Sequence, residues 1–294
     1  MDSNEPDLCD PTYDDAYNFM KNPSDLATAK NILKANSGFA HISGEYGDTP
    51  LLWACRRKTE GVEEFVKCLL EAGAQVDRTS ELGSSTPLIW AAGYSTHGVC
   101  KQLLKAKANP NATSNGMTPL MAAATGGNVS IVDALIRAGA HVDAKNGTLS
   151  PIIYACVCGN SAAVSRLELA GADLENGGTY TALMAAVEYN QPEIVKALLS
   201  YGADPNAIYH RYNRFVKVSG KNHLVYTHTP LLYACRNGLK GIVADLLDAG
   251  ADPTLAARGF QFEYTPSMCA SSFPEIVALL ATPVYSNATH SPVL

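Results

Sequence analysis

Met117-Thr118-Pro119-Leu120-Met121-Ala122-Ala123-Ala124, followed by Gly127-Asn128, Ile131-Val132, Leu135-Ile136 and Gly139-Ala140, is one copy of a unit that recurs along the chain. Thr49-Pro50-Leu51, Thr86-Pro87-Leu88, Ser150-Pro151-Ile152, Thr181-Ala182-Leu183, Thr229-Pro230-Leu231 and Thr265-Pro266 repeat its start. The Gly-Ala end follows at a fixed distance: 118 to 139, 150 to 171, 181 to 202 and 229 to 250 are each 21 positions apart. Self-similarity at a constant period marks a tandem array of one small structural unit.

The unit has the signals of two short helices. Pro after Thr suits the first helical position, where its missing N–H would be unpaired anyway, and the Thr hydroxyl caps the turn. Ala122-Ala123-Ala124 gives a narrow helix that neighbours can approach closely, and Gly126-Gly127-Asn128 breaks it. Ile131, Val132, Leu135 and Ile136 then recur at helical spacing, giving the second helix one apolar face. Gly139 falls where a left-handed C-terminal residue is expected, and Asp143 to Asn146 with Gly147 reads as a tight turn before the next copy. A single copy cannot bury its apolar face alone; stacked copies can.

The pattern T-P-L-x-x-A-A … G-N-x-x-I-V-x-x-L-L-x-x-G-A-D resembles the ankyrin repeat, over about Thr12 to Ala281. The resemblance implies an all-α ankyrin-repeat solenoid of about eight helix-turn-helix units joined by hairpin-like loops, the terminal ones degenerate caps. It also implies an interaction scaffold whose first helices line a concave groove. It says little about a particular partner, because function resides in sites rather than folds.

Composition narrows the classes. With 294 residues, 47% hydrophobic and 17% charged, the chain can bury a core. Its net charge of −6, without a long basic tract, argues against a nucleic-acid binder as a whole. No apolar run is long enough to span a membrane, and the acidic Met1 to Asp10 stretch does not read as a signal peptide. Cys55, Cys156, Cys235 and Cys269 occupy small-residue positions of the first helix, so the cysteines read as buried thiols of a reduced, cytoplasmic or nuclear protein. Cys156-Val157-Cys158 lacks a Cys or His pair at zinc spacing, so neither a metal nor a cofactor is expected.

Along the chain, residues 1–11 read as a loose tail, 12–283 as the array and 284–294 as a second loose tail. Thr12 to Asn22 and Ser24 to Asn36 form a degenerate first unit, with Asp25 suited to a helix N-terminal dipole. Arg57-Lys58-Thr59-Glu60-Gly61 lengthens the second unit between its helices. Lys107 stands where the third unit's terminal Gly should be, costing about 1 kcal/mol if the left-handed backbone is kept. The last unit degrades into Thr282-Pro283. One connection is much longer: residues 208–228 read as two strands around a Gly-containing turn, a finger inserted between units.

Two candidate sites follow. Four positions after the start of each unit stand Trp53, Trp90, Tyr154 and Tyr233, with Ala122 and Ala185 between. The resemblance places this row in the groove, where aromatics bury area at low entropy cost; packing between units is the competing reading. Beside the row lie Arg56, Tyr94, Tyr189 and Arg236, giving basic ends that suit an acidic peptide with an apolar anchor. An aromatic cage of Trp53, Trp90 and Tyr94 for methyl-lysine is a lesser reading. The finger carries Tyr209, Arg211, Tyr212, Arg214, Phe215, Lys217 and Lys221, with no acid between Pro205 and Ala244. Basic residues interleaved with aromatics suit nucleic acid or another phosphate-rich or acidic ligand.

No nucleophile elbow or phosphate loop appears, so no catalytic residues and no enzyme activity are expected. Leu199 to Asn206 resembles ankyrin sites modified by asparaginyl hydroxylases, which makes Asn206 a candidate modification site. The sequence is thus expected to encode a monomeric, non-enzymatic adaptor that binds an extended segment of another protein, with nucleic acid the less favoured ligand and no membrane insertion.

Overall fold

A computed structural model of the chain describes residues 26–44, 47–80, 85–176, 180–218, 221–258 and 263–281. For 26–29, 210–218, 221–227, 257–258 and 263 it describes the backbone alone. The tails, the Thr12–Asn22 half of the first unit, Asp25 and Thr282-Pro283 lie outside these residues. The chain divides into two compact units, residues 1–147 and 148–294.

In the first unit, helix Leu26–Ala35 and the short turn Ser37–His41 precede the helix pairs Pro50–Cys55 with Val62–Glu71, Pro87–Tyr94 with His97–Lys105, and Pro119–Gly126 with Val129–Arg137. The second contains Pro151–Val157 with Ser161–Leu169, Ala182–Glu188 with Pro192–Ser200, Pro230–Arg236 with Lys240–Asp248, and Pro266–Cys269 with Pro274–Ala281. The first helix of each pair is called the inner helix below. Where the spacing is lengthened, the helices part between Cys55 and Val62, as the extra residues require.

The same chemistry builds each pair. Thr49, Thr86, Thr118, Thr181, Thr229 and Thr265 each cap an inner helix, the hydroxyl oxygen accepting the backbone N–H three residues on at 3.0–3.3 Å. Ser150 departs from this rule: its hydroxyl makes no capping bond and is buried without a partner among the described residues. Five residues after each start, Ala54, Ala91, Ala123, Ala155, Ala186, Ala234 and Ala270 are fully buried, which lets inner helices pack closely. The second helices up to Lys240–Asp248 bury apolar stripes such as Ile131, Val132 and Leu135, while the last, Pro274–Ala281, buries Ile276 alone. Burying one such side chain stabilises the fold by about 1.5–3 kcal/mol.

Helix ends and turns complete the units. Gly139 has φ +86°, and the following Ala140 N–H reaches back to the Leu135 carbonyl at 3.0 Å. Lys107 holds the same place with φ +70° and Ala108 N–H on Leu103, so the left-handed turn is kept despite a side chain that disfavours it. Between pairs, turn side chains bridge neighbours. The Asp77 carboxylate accepts the Asn109 N–H, and the Asn111 amide donates to the Gly139 carbonyl while accepting from the His141 N–H.

The insertion between Asn206 and Thr229 is a hairpin. Its strands β1, Tyr209–Val218, and β2, Lys221–His228, run antiparallel from Tyr209 opposite His228 to Val218 opposite Lys221, with a bulge between His210 and Arg214. A second, shorter ribbon pairs Ala257–Arg258 with Glu263–Tyr264, which the repeat pattern does not announce.

The core thiols are held protonated. Burial pushes Cys100 and Cys235 up to about 12 and Cys269 to about 11, and raises Cys55 and Cys156 as well. Unfolded thiols ionise near the ordinary 9.0, so between these values the unfolded state holds fewer protons than the folded one. Stability is therefore expected to be unaffected by these groups below that ordinary value and to fall as pH rises towards 12. Denaturation midpoints across pH check this, and Cys100→Ala and Cys235→Ala should each flatten the alkaline slope. A second test concerns turns and caps. Lys107→Gly is expected to raise stability by about 1 kcal/mol, and Thr118→Ala to lower it by about 1 kcal/mol. Ser150→Ala should be nearly neutral, because no cap bond is lost. Chemical denaturation of the variants decides all three.

Candidate functional site

In the first unit, the inner helices bring four of the expected residues together. Trp90 and Tyr94, one turn apart on Pro87–Tyr94, pack with ring centroids 5.5 Å apart and planes tilted by 39°. The Arg56 guanidinium lies over the Trp90 ring at 4.6 Å and forms a two-pronged ion pair with Asp48, both bonds 3.1 Å. Arg57 lies over the Trp53 ring at 4.2 Å, and partial burial lowers its pKa. Its carbonyl accepts the Ser95 hydroxyl at 3.0 Å, which ties this arginine to the residue after Tyr94.

Trp53 is only 8% exposed. Its indole belongs to the core and one face is covered by Arg57, which favours the packing reading at this position. Arg56 likewise has its charge matched by Asp48, so it does not stand free to read a partner's charge. Trp90 is half-buried, and Tyr94 is the most open of the four residues at 60%.

Trp90, Gly93, Tyr94, Ala122, Thr125 and Gly126 line a cavity of about 420 Å³ between two inner helices. Its walls are chiefly apolar and aromatic, with small residues on one side. The Trp90 Nε1–H is buried without an acceptor among the described residues.

In the second unit the expected residues are placed differently. Tyr154 and Tyr233 are half-buried on their inner helices, and Tyr189, which ends Ala182–Glu188, is 51% exposed. Arg236 lies over the Tyr233 ring at 4.9 Å, again a guanidinium of the same helix on the aromatic face. Of the finger residues, Tyr209 is described in full. Its ring meets Tyr180 at 4.8 Å, and the Tyr180 hydroxyl donates to the Glu188 carboxylate at 2.8 Å. Burial, then the Glu188 charge, raise the Tyr180 pKa. Tyr180 is a support that sequence reasoning missed; its signal was an aromatic directly before the Thr181 cap. The side chains of Arg211, Tyr212, Arg214, Phe215, Lys217 and Lys221 lie outside the described residues.

Asn206 is occupied by the turn architecture. Its amide donates to the Gly250 carbonyl at 3.1 Å and accepts from the Asp252 N–H at 2.8 Å, the arrangement that Asn111 makes in the first unit. Among the described residues no group of His, Cys, Asp and Glu is arranged to hold a metal, and no helix is long and apolar enough to cross a membrane.

Comparisons with known proteins agree with this architecture. A family model described as ankyrin repeats (3 copies) matches residues 20–114, 61–146 and 144–209, and the ankyrin repeat model matches 227–258. Among solved structures, the human ASB11 ankyrin repeat domain is similar with a TM-score of 0.65 at 23% identity, over 80% of this chain and 99% of that one. The ankyrin repeat domain of Bcl-3, a member of the IkappaB protein family, is similar with a TM-score of 0.63 at 26% identity, over 81% and 100%. No curated protein matches the sequence.

Proposed function

The chain belongs to the ankyrin-repeat family, and from that premise we propose that it is a non-enzymatic adaptor holding an extended segment of another protein against its inner helices. Ankyrin repeat domains are generally protein–protein interaction modules. The observation that carries the reading is the cavity between Pro87–Tyr94 and Pro119–Gly126, with a half-buried tryptophan and an open tyrosine on one wall. Concave, mostly apolar space with a few polar groups is where ligands anchor. In the second unit, Tyr189 and the Tyr233–Arg236 stack offer further contacts, with Tyr154 beside solvent. Cys55, Cys100, Cys156 and Cys235 are buried as single small side chains of the packed helices, which fits a cytoplasmic or nuclear setting, and we take the chain to act as a monomer.

The methyl-lysine reading loses ground. A cage offers empty aromatic faces to a methylammonium, yet Arg57 occupies Trp53 and Arg56 occupies Trp90. A bound cation would have to displace a like charge. The finger retains a place as a second contact for an acidic or phosphate-rich ligand, nucleic acid included, because its hairpin is formed and its base is fixed through Tyr209 on Tyr180. Hydroxylation of Asn206 is kept as a subsidiary proposal; the two hydrogen bonds of its side-chain amide would have to open for an enzyme to reach it.

The test is affinity capture from a cell lysate with the intact chain, Trp90→Ala/Tyr94→Ala, Tyr189→Ala, and a chain with 208–228 replaced by a short turn. Each must first show the same helical circular dichroism. Loss of a partner by the Trp90/Tyr94 pair, with retention by the finger deletion, is the expected result. Loss by the finger deletion alone would transfer the function to the insertion. Its signature would be a steep fall of affinity with salt, as phosphate contacts give.

A further inference from the structure

Gly93 sits inside the helix Pro87–Tyr94, where glycine is unfavourable relative to alanine because of its backbone entropy. Neither backbone conformation nor space demands it. Its φ is not positive, and an added Cβ would meet only the Ala122 Cβ and carbonyl at 3.7–3.8 Å, ordinary van der Waals contact. Gly126 differs: a Cβ there would come within 3.1 Å of the Gly93 carbonyl, so the close approach of the two helices accounts for it. What the missing methyl at Gly93 does provide is room, since Gly93 lines the cavity beside Trp90 and Tyr94.

The Asp48 carboxylate is paired with Arg56, whereas Glu63 is held only by the Thr96 hydroxyl at 2.6 Å and keeps its charge. Arg57, half-buried against Trp53 and tied through its carbonyl to Ser95, has no carboxylate partner among the described residues. A half-buried guanidinium gains from a carboxylate more than an exposed one does, because water screens the pair less.

We propose that the Gly93 cavity receives one apolar side chain of an acidic peptide segment, whose neighbouring carboxylate pairs with Arg57. This rests on the adaptor reading and gives it a partner chemistry: an acidic segment with an aliphatic, methionine or phenylalanine anchor. The volume of about 420 Å³ takes such a side chain together with part of the backbone that carries it. Arg56, held by Asp48, packs on the Trp90 ring and contributes no net charge to the site.

The probes are short synthetic peptides with a single central Leu, Met or Phe, flanked by Glu, Gln or Lys. Binding to the full chain is read by fluorescence anisotropy and by the emission of Trp90 in a Trp53→Phe background, since the chain has 2 tryptophans. Glu-flanked peptides are expected to bind most tightly. Gly93→Leu, which fills the cavity, should weaken them by roughly tenfold or more, the loss of a little over 1 kcal/mol. Arg57→Gln should weaken the Glu peptides by roughly threefold and leave the Gln peptides unchanged, as for a partly screened ion pair. Gly93→Ala keeps the test meaningful if leucine disturbs folding: it should raise the denaturation midpoint while lowering affinity, whereas a purely structural glycine would change only the midpoint.

Equal binding of Glu and Gln peptides, a preference for Lys, or indifference to Arg57→Gln would overturn the acidic partner. A folded Gly93→Leu that binds like the parent would overturn the cavity as the anchor site. The adaptor reading fails separately. If lysate capture depends on Trp90 and Tyr94 but Gly93→Leu still captures the partner, the adaptor stands and this inference falls. If the Trp90→Ala/Tyr94→Ala chain also captures everything, both fall.

Discussion

The fold depends on how closely neighbouring inner helices can approach. Alanine five places after the start of each inner-helix copy removes the side chain that would hold them apart, and all seven of these alanines are fully buried. At one contact the approach is closer still, with Gly126 facing the Gly93 carbonyl. Tight packing leaves a fixed, shallow set of positions facing outward from each inner helix, and those positions carry the residues with chemistry. A larger residue at the alanine positions would push the helices apart and spread the aromatics; the interior is dense enough that one methylene is felt. Packing and recognition therefore draw on the same short helices.

The repeat is legible in the sequence because each of its signals acts locally. A Thr-Pro pair caps a helix whatever lies around it, and the turn after Ala106 is left-handed even with Lys107 there, since the hydrogen bonds on either side fix it. The insertion also announces itself, through its length and its β-branched and aromatic residues. What local signals do not decide is which members of one repeat position face solvent. Trp53 and Trp90 share a position, yet one is buried and the other lines a cavity. The difference comes from neighbours distant in sequence: Arg57 covers the first ring, while the glycine in Pro87–Tyr94 and Ala122 on the next inner helix leave space beside the second. Ser150 likewise looks like a cap and makes no capping bond. Residue type predicts a capacity for a bond, and geometry determines whether it forms.

The arginines show the same dependence on context. In the sequence alone, Arg56, Arg57 and Arg236 look like three equivalent positive charges at the margins of a groove. In the structure all three lie on aromatic rings, but their electrostatic states diverge. Arg56 is neutralised by Asp48 within the same turn-and-helix segment, so its part is to stiffen the wall behind Trp90. Arg57 has the ring but no carboxylate among the described residues. A guanidinium on an aromatic face keeps its charge and loses part of its hydration, which leaves it prepared to accept an anion.

Such an arrangement favours selectivity over raw affinity. The apolar cavity alone would accept any side chain of the right volume, since one methylene more or less alters binding by only about 1–3 kcal/mol. Arg57, which has no carboxylate partner among the described residues, adds a second, independent criterion and penalises a partner that brings a lysine to the same place. The two criteria sit on different helix pairs, Arg57 after Pro50–Cys55 and Gly93 within Pro87–Tyr94, held in register by the Ser95 hydroxyl on the Arg57 carbonyl. Within the first unit, recognition is then a property of the stacking of repeats, because neither helix pair carries both the charge and the cavity.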